Sequence, residues 1–260
     1  MLLSATARVS RTLGSRLFSS TSHANMRVIP VQARSDNWMY LVVDEATGTA
    51  AVVDPWDATK INAAAAEQGV KVGIAIQKPT NLELNPGITA YGGSDQAPGT
   101  NTIVKDGDAF KLGSIDVKYV ARDSICFFVE DKAKNQRGVF TGDTMFLAGC
   151  GRFFEGNAGE MHAALSKLGT LPADTLVFNG HEYTTGSAKF GLHIEPTNAA
   201  LKGLFDRAQT DKCTTGKSTI GDEKSWNVFM RLDTPEAQKA TGETEPLKVM
   251  SKLRELKNAM

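Results

Sequence analysis

Histidine and cysteine are scarce in this 260-residue sequence, which has four histidines and three cysteines. The cysteines, Cys126, Cys150 and Cys213, are widely spaced and odd in number, which argues against a disulfide framework and for a reducing compartment. None of them belongs to a C-x-x-C pair, so the zinc and redox motifs built on that pair are excluded.

Excess charge and long apolar runs are also missing. Lysine plus arginine equals aspartate plus glutamate at 29 each, so no global charge favours binding to nucleic acid or to an acidic membrane. No uninterrupted apolar stretch approaches the roughly 18 residues needed to cross a bilayer. We therefore expect a monomer whose partner is a small molecule, with no nucleic-acid and no membrane partner.

Residues 1–25 differ in composition from the rest of the chain. Three arginines lie among serines, threonines, alanines and leucines, and no acidic residue occurs before Asp36. This composition predicts a mitochondrial transit peptide and hence a location in the mitochondrial matrix, with a disordered tail as the alternative. Met26 would be the start of a shorter, cytosolic form.

The apolar pattern after Met26 predicts strands first and helices later. Strands are expected at 28–31, 38–43, 50–53, 72–76, 103–104, 110–112, 115–120, 125–129, 139–140 and 175–178, and helices at 58–68, 159–168, 187–192, 196–208, 234–240 and 246–258. This order indicates an α/β fold, with a sheet-on-sheet αββα sandwich over residues 26–189 and a small helical domain over residues 190–260.

Two polar side chains directly follow predicted strands. Asp143, within Thr-Gly-Asp-Thr at 141–144, is a carboxylate that could bridge two metal ions, although aspartate also caps turns at such positions. His181, within Gly-His-Glu-Tyr-Thr at 180–184, could ligate zinc or iron, although a single histidine is a weak metal signal. Each motif alone favours the structural interpretation.

Taken together, the motifs resemble the glyoxalase II (hydroxyacylglutathione hydrolase) family of the metallo-β-lactamase superfamily. The resemblance covers nearly the whole chain after Met26 and rests on segments 37–40, 53–55, 141–146, 149–156, 180–184, 227–231 and 241–246. It implies a metallo-β-lactamase fold with a C-terminal helical domain. It also implies hydrolysis of the glutathione thiolester S-lactoylglutathione to D-lactate and glutathione, as in methylglyoxal detoxification, at two divalent metal ions, zinc or alternatively iron or manganese.

The same resemblance implies roles for individual residues. Asp143 matches the catalytic aspartate that bridges the two metal ions, and His181 matches the last histidine ligand. The residues that match substrate-binding positions are Arg152, Phe154, Tyr183, Arg254 and Lys257.

Three of these substrate-binding positions, Phe154, Arg254 and Lys257, have chemistry that bears on the substrate. Phe154 stands where many members have a tyrosine, so its hydroxyl contact would be lost. Arg254 and Lys257 are three residues apart on a predicted helix and would project together, as two cations that suit a dianionic tripeptide. Without the resemblance, an R-x-x-K pair is usually a solvated helix face.

The sequence departs from the family where most metal ligands are expected. After the strand at 72–76 the family has T-H-x-H-x-D-H, whereas this chain has Gln-Lys-Pro-Thr-Asn-Leu-Glu at 77–83. A C-H-T element is also missing before Asp123. The flanking sequence is intact at both gaps, as alternative splicing or a misplaced exon boundary would leave it. His162 lies in a predicted helix and His193 near the end of another, and neither is placed to substitute.

These departures leave three hypotheses open. The first is a metal-dependent thiolester hydrolase, by activity or by descent. The second is a non-catalytic protein that binds glutathione conjugates, since the expected glutathione contacts remain while most metal ligands do not. The third is a relative of the persulfide dioxygenases, which use one iron on the same fold; the segment at 149–154 and the R-x-x-K pair favour the hydrolase.

Overall fold

The structure is a computed structural model that describes residues 26–76, 87–94, 99–120, 126–153 and 156–260. The predicted transit peptide, Phe154 and most of both segments that depart from the family pattern lie outside these residues. No helix in the described ranges combines the length and apolar character that a membrane crossing requires.

The first sheet contains the N-terminal strands of the chain. Its six described strands lie side by side in chain order, antiparallel from the first to the third and parallel from the third onward. They are β1 (Met26–Gln32), β2 (Trp38–Asp44), β3 (Thr49–Val53), β4 (Lys71–Ile76), β5 (Thr89–Gly92) and β6 (Thr102–Ile103). Helix α1 (Ala58–Glu67) connects β3 to β4.

The second sheet has the order β13-β10-β9-β8-β7 in the described part of the chain. Its strands are antiparallel neighbours, except that β10 and β13 run parallel. A separate hairpin of β11 and β12 follows β10. The strands are β7 (Ala109–Leu112), β8 (Ile115–Tyr119), β9 (Phe127–Asp131), β10 (Gln136–Gly142), β11 (Met145–Phe146), β12 (Gly149–Cys150) and β13 (Leu176–Asn179).

Helices dominate the second half of the chain, and their starts follow from capping side chains. Asn157 and Glu160 form a capping box at α2, and Thr219 and Asp222 form one at α5. The helices are α2 (Ala158–Leu168), α3 (Thr184–Ile194), α4 (Ala199–Ala208), α5 (Ile220–Trp226), α6 (Pro235–Thr241) and α7 (Pro246–Ala259), with a short 3-10 helix at Val228–Met230.

The two sheets pack face to face, and helices cover their outer faces. Tyr40 and Val42 of β2 point into the inter-sheet core with Phe140 of β10, while Met39 and Leu41 point to the opposite face, towards α1. Burial of each such side chain stabilises the fold by about 1.5–3 kcal/mol.

The outer face of the second sheet carries a third layer. Val139 and Val177 of this sheet pack with α2, α3 and α7 in one continuous apolar cluster. The C-terminal helices therefore share a core with the sandwich. The predicted boundary near residue 189 falls within α3 and stays a prediction.

The α/β class predicted from the sequence is confirmed, but several described elements were missed: β5, the β11–β12 hairpin, α5 and the short 3-10 helix. Strand β5 is short and contains glycine, so its apolar pattern is weak. Helix α5 was also missed, although its capping box is visible in the sequence as Thr-Ile-Gly-Asp. The helix expected to start at residue 196 begins at Ala199, after the N-cap Asn198.

Candidate active site

Asp143 and His181 lie beside each other because their strands run parallel. β10 and β13 end at the same edge of the sheet, and the Gly180 amide donates to the Gly142 carbonyl over 2.9 Å. The next side chain on each strand is therefore adjacent. Asp143 Oδ1 lies 3.3 Å from His181 Nε2. The structure thus brings together the two residues that the sequence offered as metal ligands.

Two glycines make this approach possible. A Cβ on Gly180 would lie 2.9 Å from Asp143 Oδ1 and 3.1 Å from the carbonyl of Gly142. A Cβ on Gly151 would collide with the backbone carbonyl oxygen of Asp143. Glycine at both positions lets the chain fold closely around the aspartate.

The first sheet also contributes to the site. The Trp38 amide donates to the Gly180 carbonyl over 2.9 Å, which places the start of β2 against His181. Asn37 Nδ2 lies 3.2 Å from His181 Nε2, and Asp36 Oδ1 lies 3.8 Å from His181 Nδ1. Sequence reasoning assigned no role to Asp36 or Asn37. Their position just before a strand was the available signal.

Tyr183 packs on the histidine. Its ring stacks on His181 with centroids 4.8 Å apart and contacts the edge of Phe146. Burial raises the pKa of Tyr183, and the hydrogen-bonded Asp36 carboxylate adds to the rise, whereas Arg152 acts in the opposite direction. The tyrosine hydroxyl is therefore neutral, and it donates its hydrogen bond to the Asp36 carboxylate.

Arg254 and Lys257 project from one face of α7 towards the hairpin and α3. Arg254 Nη1 donates to the Cys150 carbonyl over 3.0 Å, and Lys257 Nζ donates to Ser187 Oγ over 2.7 Å. Arg254 Nε is buried and has no hydrogen-bond partner within the described ranges. Both cations also lie over the ring of Phe229. The arrangement matches the pairing expected from the R-x-x-K spacing.

The two cations are connected to His181 through α3. Ser187, which accepts from Lys257, donates its backbone amide to the Tyr183 carbonyl over 2.9 Å, and Tyr183 stacks on His181. A cavity of about 290 Å³ lies beside Arg254 and is lined by Arg152, Phe153, Ser251, Arg254, Glu255 and Asn258. Arg152 and Arg254 therefore share one cavity wall.

The buried cysteines do not supply a nucleophile. Burial raises the pKa of the Cys126 thiol to about 12 and that of the Cys150 thiol to about 11. Both remain protonated at neutral pH, whereas the thiolate is the reactive form.

The described residues do not fit a two-metal centre. Asp143 and His181 are adjacent, but no group of three or more His, Cys, Asp or Glu side chains in the described ranges could hold a metal ion. His162 and His193 lie on α2 and α3, outside this pair. A catalytic zinc ordinarily takes three protein ligands and a water. Any chemistry at the site therefore depends on the side chains present.

Solved structures with this architecture define the class of protein. A metallo-β-lactamase from Staphylococcus aureus matches with a TM-score of 0.61 and 20% identity, over 88% of this chain and 73% of the other. ETHE1 from Myxococcus xanthus matches with a TM-score of 0.59 and 21% identity, over 90% of this chain and 98% of the other. The chain has the metallo-β-lactamase fold.

Sequence relatives narrow this class to a family. A probable hydroxyacylglutathione hydrolase of Schizosaccharomyces pombe is 37% identical over 90% of this chain and 99% of its own. The cytoplasmic hydroxyacylglutathione hydrolase of Arabidopsis thaliana is 36% identical over 90% and 98%. A family model described as the hydroxyacylglutathione hydrolase C-terminus matches residues 182–260. The chain belongs to the hydroxyacylglutathione hydrolase family, which is the family that the motifs indicated.

Proposed function

We propose that this chain binds S-lactoylglutathione and hydrolyses it to D-lactate and glutathione; its relatives are named as hydrolases of hydroxyacylglutathiones, the class to which this thiolester belongs. The observation that carries the proposal is the relationship to hydroxyacylglutathione hydrolases over about nine-tenths of the chain. These names favour the hydrolase over the persulfide dioxygenase alternative.

The cationic side of the site supports the proposed substrate. Glutathione carries two carboxylates, and Arg254 and Lys257 supply two cations on one helix face, with Arg152 on the same cavity wall as Arg254. Cations held in this way bind carboxylates through charge-assisted hydrogen bonds. The tripeptide would therefore lie along α7, with its thiolester directed towards Tyr183 and His181.

Hydrolysis adds water across the thiolester. The water oxygen bonds to the carbonyl carbon, the carbon–sulfur bond breaks, and the glutathione sulfur takes a proton. Asp143 and His181 are the groups beside the proposed thiolester position that can orient this water and accept its proton. Since the full metal-ligand set is missing, we expect slow turnover.

One observation favours a second candidate function. The glutathione side of the site has its cations in place, while the described metal side is reduced to Asp143 and His181. A protein that binds glutathione conjugates without hydrolysing them would have this combination. We also propose that residues 1–25 direct the chain into mitochondria. Zinc, or alternatively iron or manganese, is proposed as the identity of any bound metal.

A thiolester assay tests the proposed function. The full chain is incubated with S-lactoylglutathione, and the released glutathione thiol is measured. We expect release that is lost in Asp143→Asn and kept in Asp206→Asn, which alters an exposed carboxylate paired with Lys202 on α4. Saturable binding without thiol release would replace the hydrolase by the second candidate. If the chain shows neither binding of S-lactoylglutathione nor release of thiol, both candidate functions are contradicted.

A further inference from the structure

Helix α5 carries a fully buried carboxylate that the proposed reaction does not use. Glu223 accepts hydrogen bonds from three groups: the Ala148 backbone amide at 2.9 Å, Trp226 Nε1 at 2.8 Å and Asn227 Nδ2 at 3.0 Å. All three partners are donors, so the ionised carboxylate satisfies each of them. A buried carboxylate costs several kcal/mol unless it is satisfied in this way.

One of these donors belongs to the turn of the β11–β12 hairpin. Ala148 has a φ of 56°, a left-handed conformation that a residue with a Cβ adopts at a cost. The hydrogen bond from its amide to Glu223 holds the turn in this conformation. The next carbonyl, of Gly149, accepts from Asn227 Nδ2 at 3.0 Å.

Side chains of the C-terminal helical region thus form hydrogen bonds with three consecutive residues of the hairpin, Ala148, Gly149 and Cys150. Glu223 holds the Ala148 amide, Asn227 the Gly149 carbonyl and Arg254 the Cys150 carbonyl. Each contact uses a backbone group, so the hold does not depend on the identity of the hairpin side chains.

The held segment lies between the two parts of the candidate site. The β11–β12 hairpin begins at Met145, two residues after Asp143, and ends at Cys150, two residues before Arg152. A Cβ on Gly149 would lie 2.7 Å from Ser187 Oγ and 2.9 Å from Lys257 Nζ, so the turn packs tightly against the cation at the end of α7. A shift of the turn would move Arg152 and disturb Arg254 and Lys257 together.

We infer that Glu223, with Asn227, is a positioning residue that fixes the β11–β12 turn and so sets the arrangement of Arg152, Arg254 and Lys257 for a glutathione thiolester. The effect on substrate rests on the proposed function, whereas the effect on the turn does not. Glu223 acts through the backbone and does not touch the substrate.

Hydrogen exchange tests the hold on the turn in the unmodified full chain. The Ala148 amide lies outside the two-stranded ladder, and its bond to Glu223 is the contact that protects it. We expect this amide to exchange as slowly as those of β10. Exchange as fast as that of exposed loop amides without a hydrogen bond would overturn the inference.

Substitution tests the consequence for binding. Glu223→Gln replaces one acceptor oxygen by a donor, which must oppose one of the three donors around it. The matched control is Glu195→Gln, because Glu195 is also buried and hydrogen-bonded, but to Arg231, Thr234 and Asn198, away from the hairpin. Both variants are compared at pH 7.5, since burial raises the pKa of Glu223 to about 7 and lowers that of Lys257 to about 8.

We expect Glu223→Gln to accelerate exchange across residues 145–152 and to weaken the binding of S-hexylglutathione about tenfold, while Glu195→Gln changes neither. If Glu223→Gln fails to fold, Asn227→Ala is the second variant, and we expect it to show the same faster exchange and weaker binding. Unchanged exchange and affinity in a folded variant would overturn the inference. If exchange is faster in Glu223→Gln but the unmodified chain does not bind S-hexylglutathione, the role of Glu223 at the turn is supported and the proposed function is rejected.

Discussion

Lys257 keeps a positive charge in surroundings that disfavour it. Burial lowers the pKa of Lys257 to about 8, although its ammonium still donates to Ser187. A carboxylate bound beside it would favour the charged form. The buried ammonium of Lys257 therefore destabilises the free protein, and the same group contacts the proposed ligand.

This shift predicts how binding depends on pH. The affinity for S-hexylglutathione should be highest below about pH 8 and fall as Lys257 loses its proton above that value. Lys257→Met should weaken binding by about tenfold or more at pH 7. Calorimetric titrations of the unmodified chain and of Lys257→Met at several pH values check this prediction. The pH dependence of the affinity that remains in the variant is the contribution of the ligand's own amine. An identical profile in both proteins would contradict the assignment.

The stability of the free protein should change in the opposite direction. The pKa of Lys257 is about 8 when folded and close to 10.5 when unfolded, so the unfolded chain binds more protons between these values. The contribution of Lys257 to the free energy of unfolding is therefore lost as pH falls through 8. It is recovered as pH rises towards 10.5.

Gly180 is one of the two glycines whose small size lets the chain approach Asp143 closely. In Gly180→Ala the added Cβ would press on Asp143 Oδ1 and on the Gly142 carbonyl. We expect a loss of about 1–3 kcal/mol in the free energy of unfolding, measured with a chemical denaturant.

Gly186→Ala is the matched control for this substitution. Gly186 lies in α3 with nothing within 4 Å of its Cβ position, so alanine there should gain up to about 1 kcal/mol from helix propensity. Equal effects of the two alanines would show that the contact around Asp143 is not tight.

At the scale of elements, parallel strand ends determine the centre of the site. β10 and β13 place Asp143 and His181 side by side, but two ligands do not make a tight metal site. Four of the family's remaining ligands would follow β4, where this sequence has no histidine or aspartate between residues 77 and 83, and a fifth would lie in the missing C-H-T element before Asp123. The centre therefore keeps two of the seven ligand positions that the family pattern implies.

Metal analysis checks this conclusion. After dialysis the purified chain should retain well under one metal ion per molecule, because at least three protein ligands are normally required. A variant with T-H-x-H-x-D-H inserted after Ile76 should retain more, and the same insertion with alanine for each histidine and aspartate should not. Two tightly held ions in the unmodified chain would contradict the account.

Particular residues show what the sequence could predict. Asp143 and His181 were noticed because each directly follows an apolar strand, but their roles came from the resemblance to the family. The role of Arg254 and Lys257 also came from that resemblance, since spacing alone favours a solvated helix face. Asp36 and Asn37 were missed because their contact with His181 joins segments about 145 positions apart, and local patterns carry no such information. Glu223 was missed because a glutamate in a polar stretch resembles a solvated one until tertiary packing buries it.

At the scale of the whole molecule, the sandwich and the helical region share one core. Leu253 of α7 packs in the same cluster as Leu165 of α2 and Val177 of β13. The cations on α7 are therefore held rigidly against the sheet that carries Asp143 and His181. We infer that substrate affinity depends on packing at this shared layer as well as on the charged groups.

The first 25 residues are the basis of the proposed location. Their arginine-rich, acid-free composition predicts import into mitochondria. A fluorescent protein fused after residues 1–25 should accumulate in mitochondria, and replacement of the three arginines by glutamine should leave it in the cytosol. Cytosolic fluorescence from the unmodified fusion would reject the transit-peptide prediction.

The central claim is that this chain recognises a glutathione conjugate through the cations of α7. Calorimetric titration of the full chain with S-hexylglutathione at pH 7.5 tests it most directly. The account predicts saturable binding that is strongly weakened in Lys257→Met and kept in Lys248→Met, which alters an exposed lysine on the same helix. No saturable heat, or equal affinity in both variants, would contradict it.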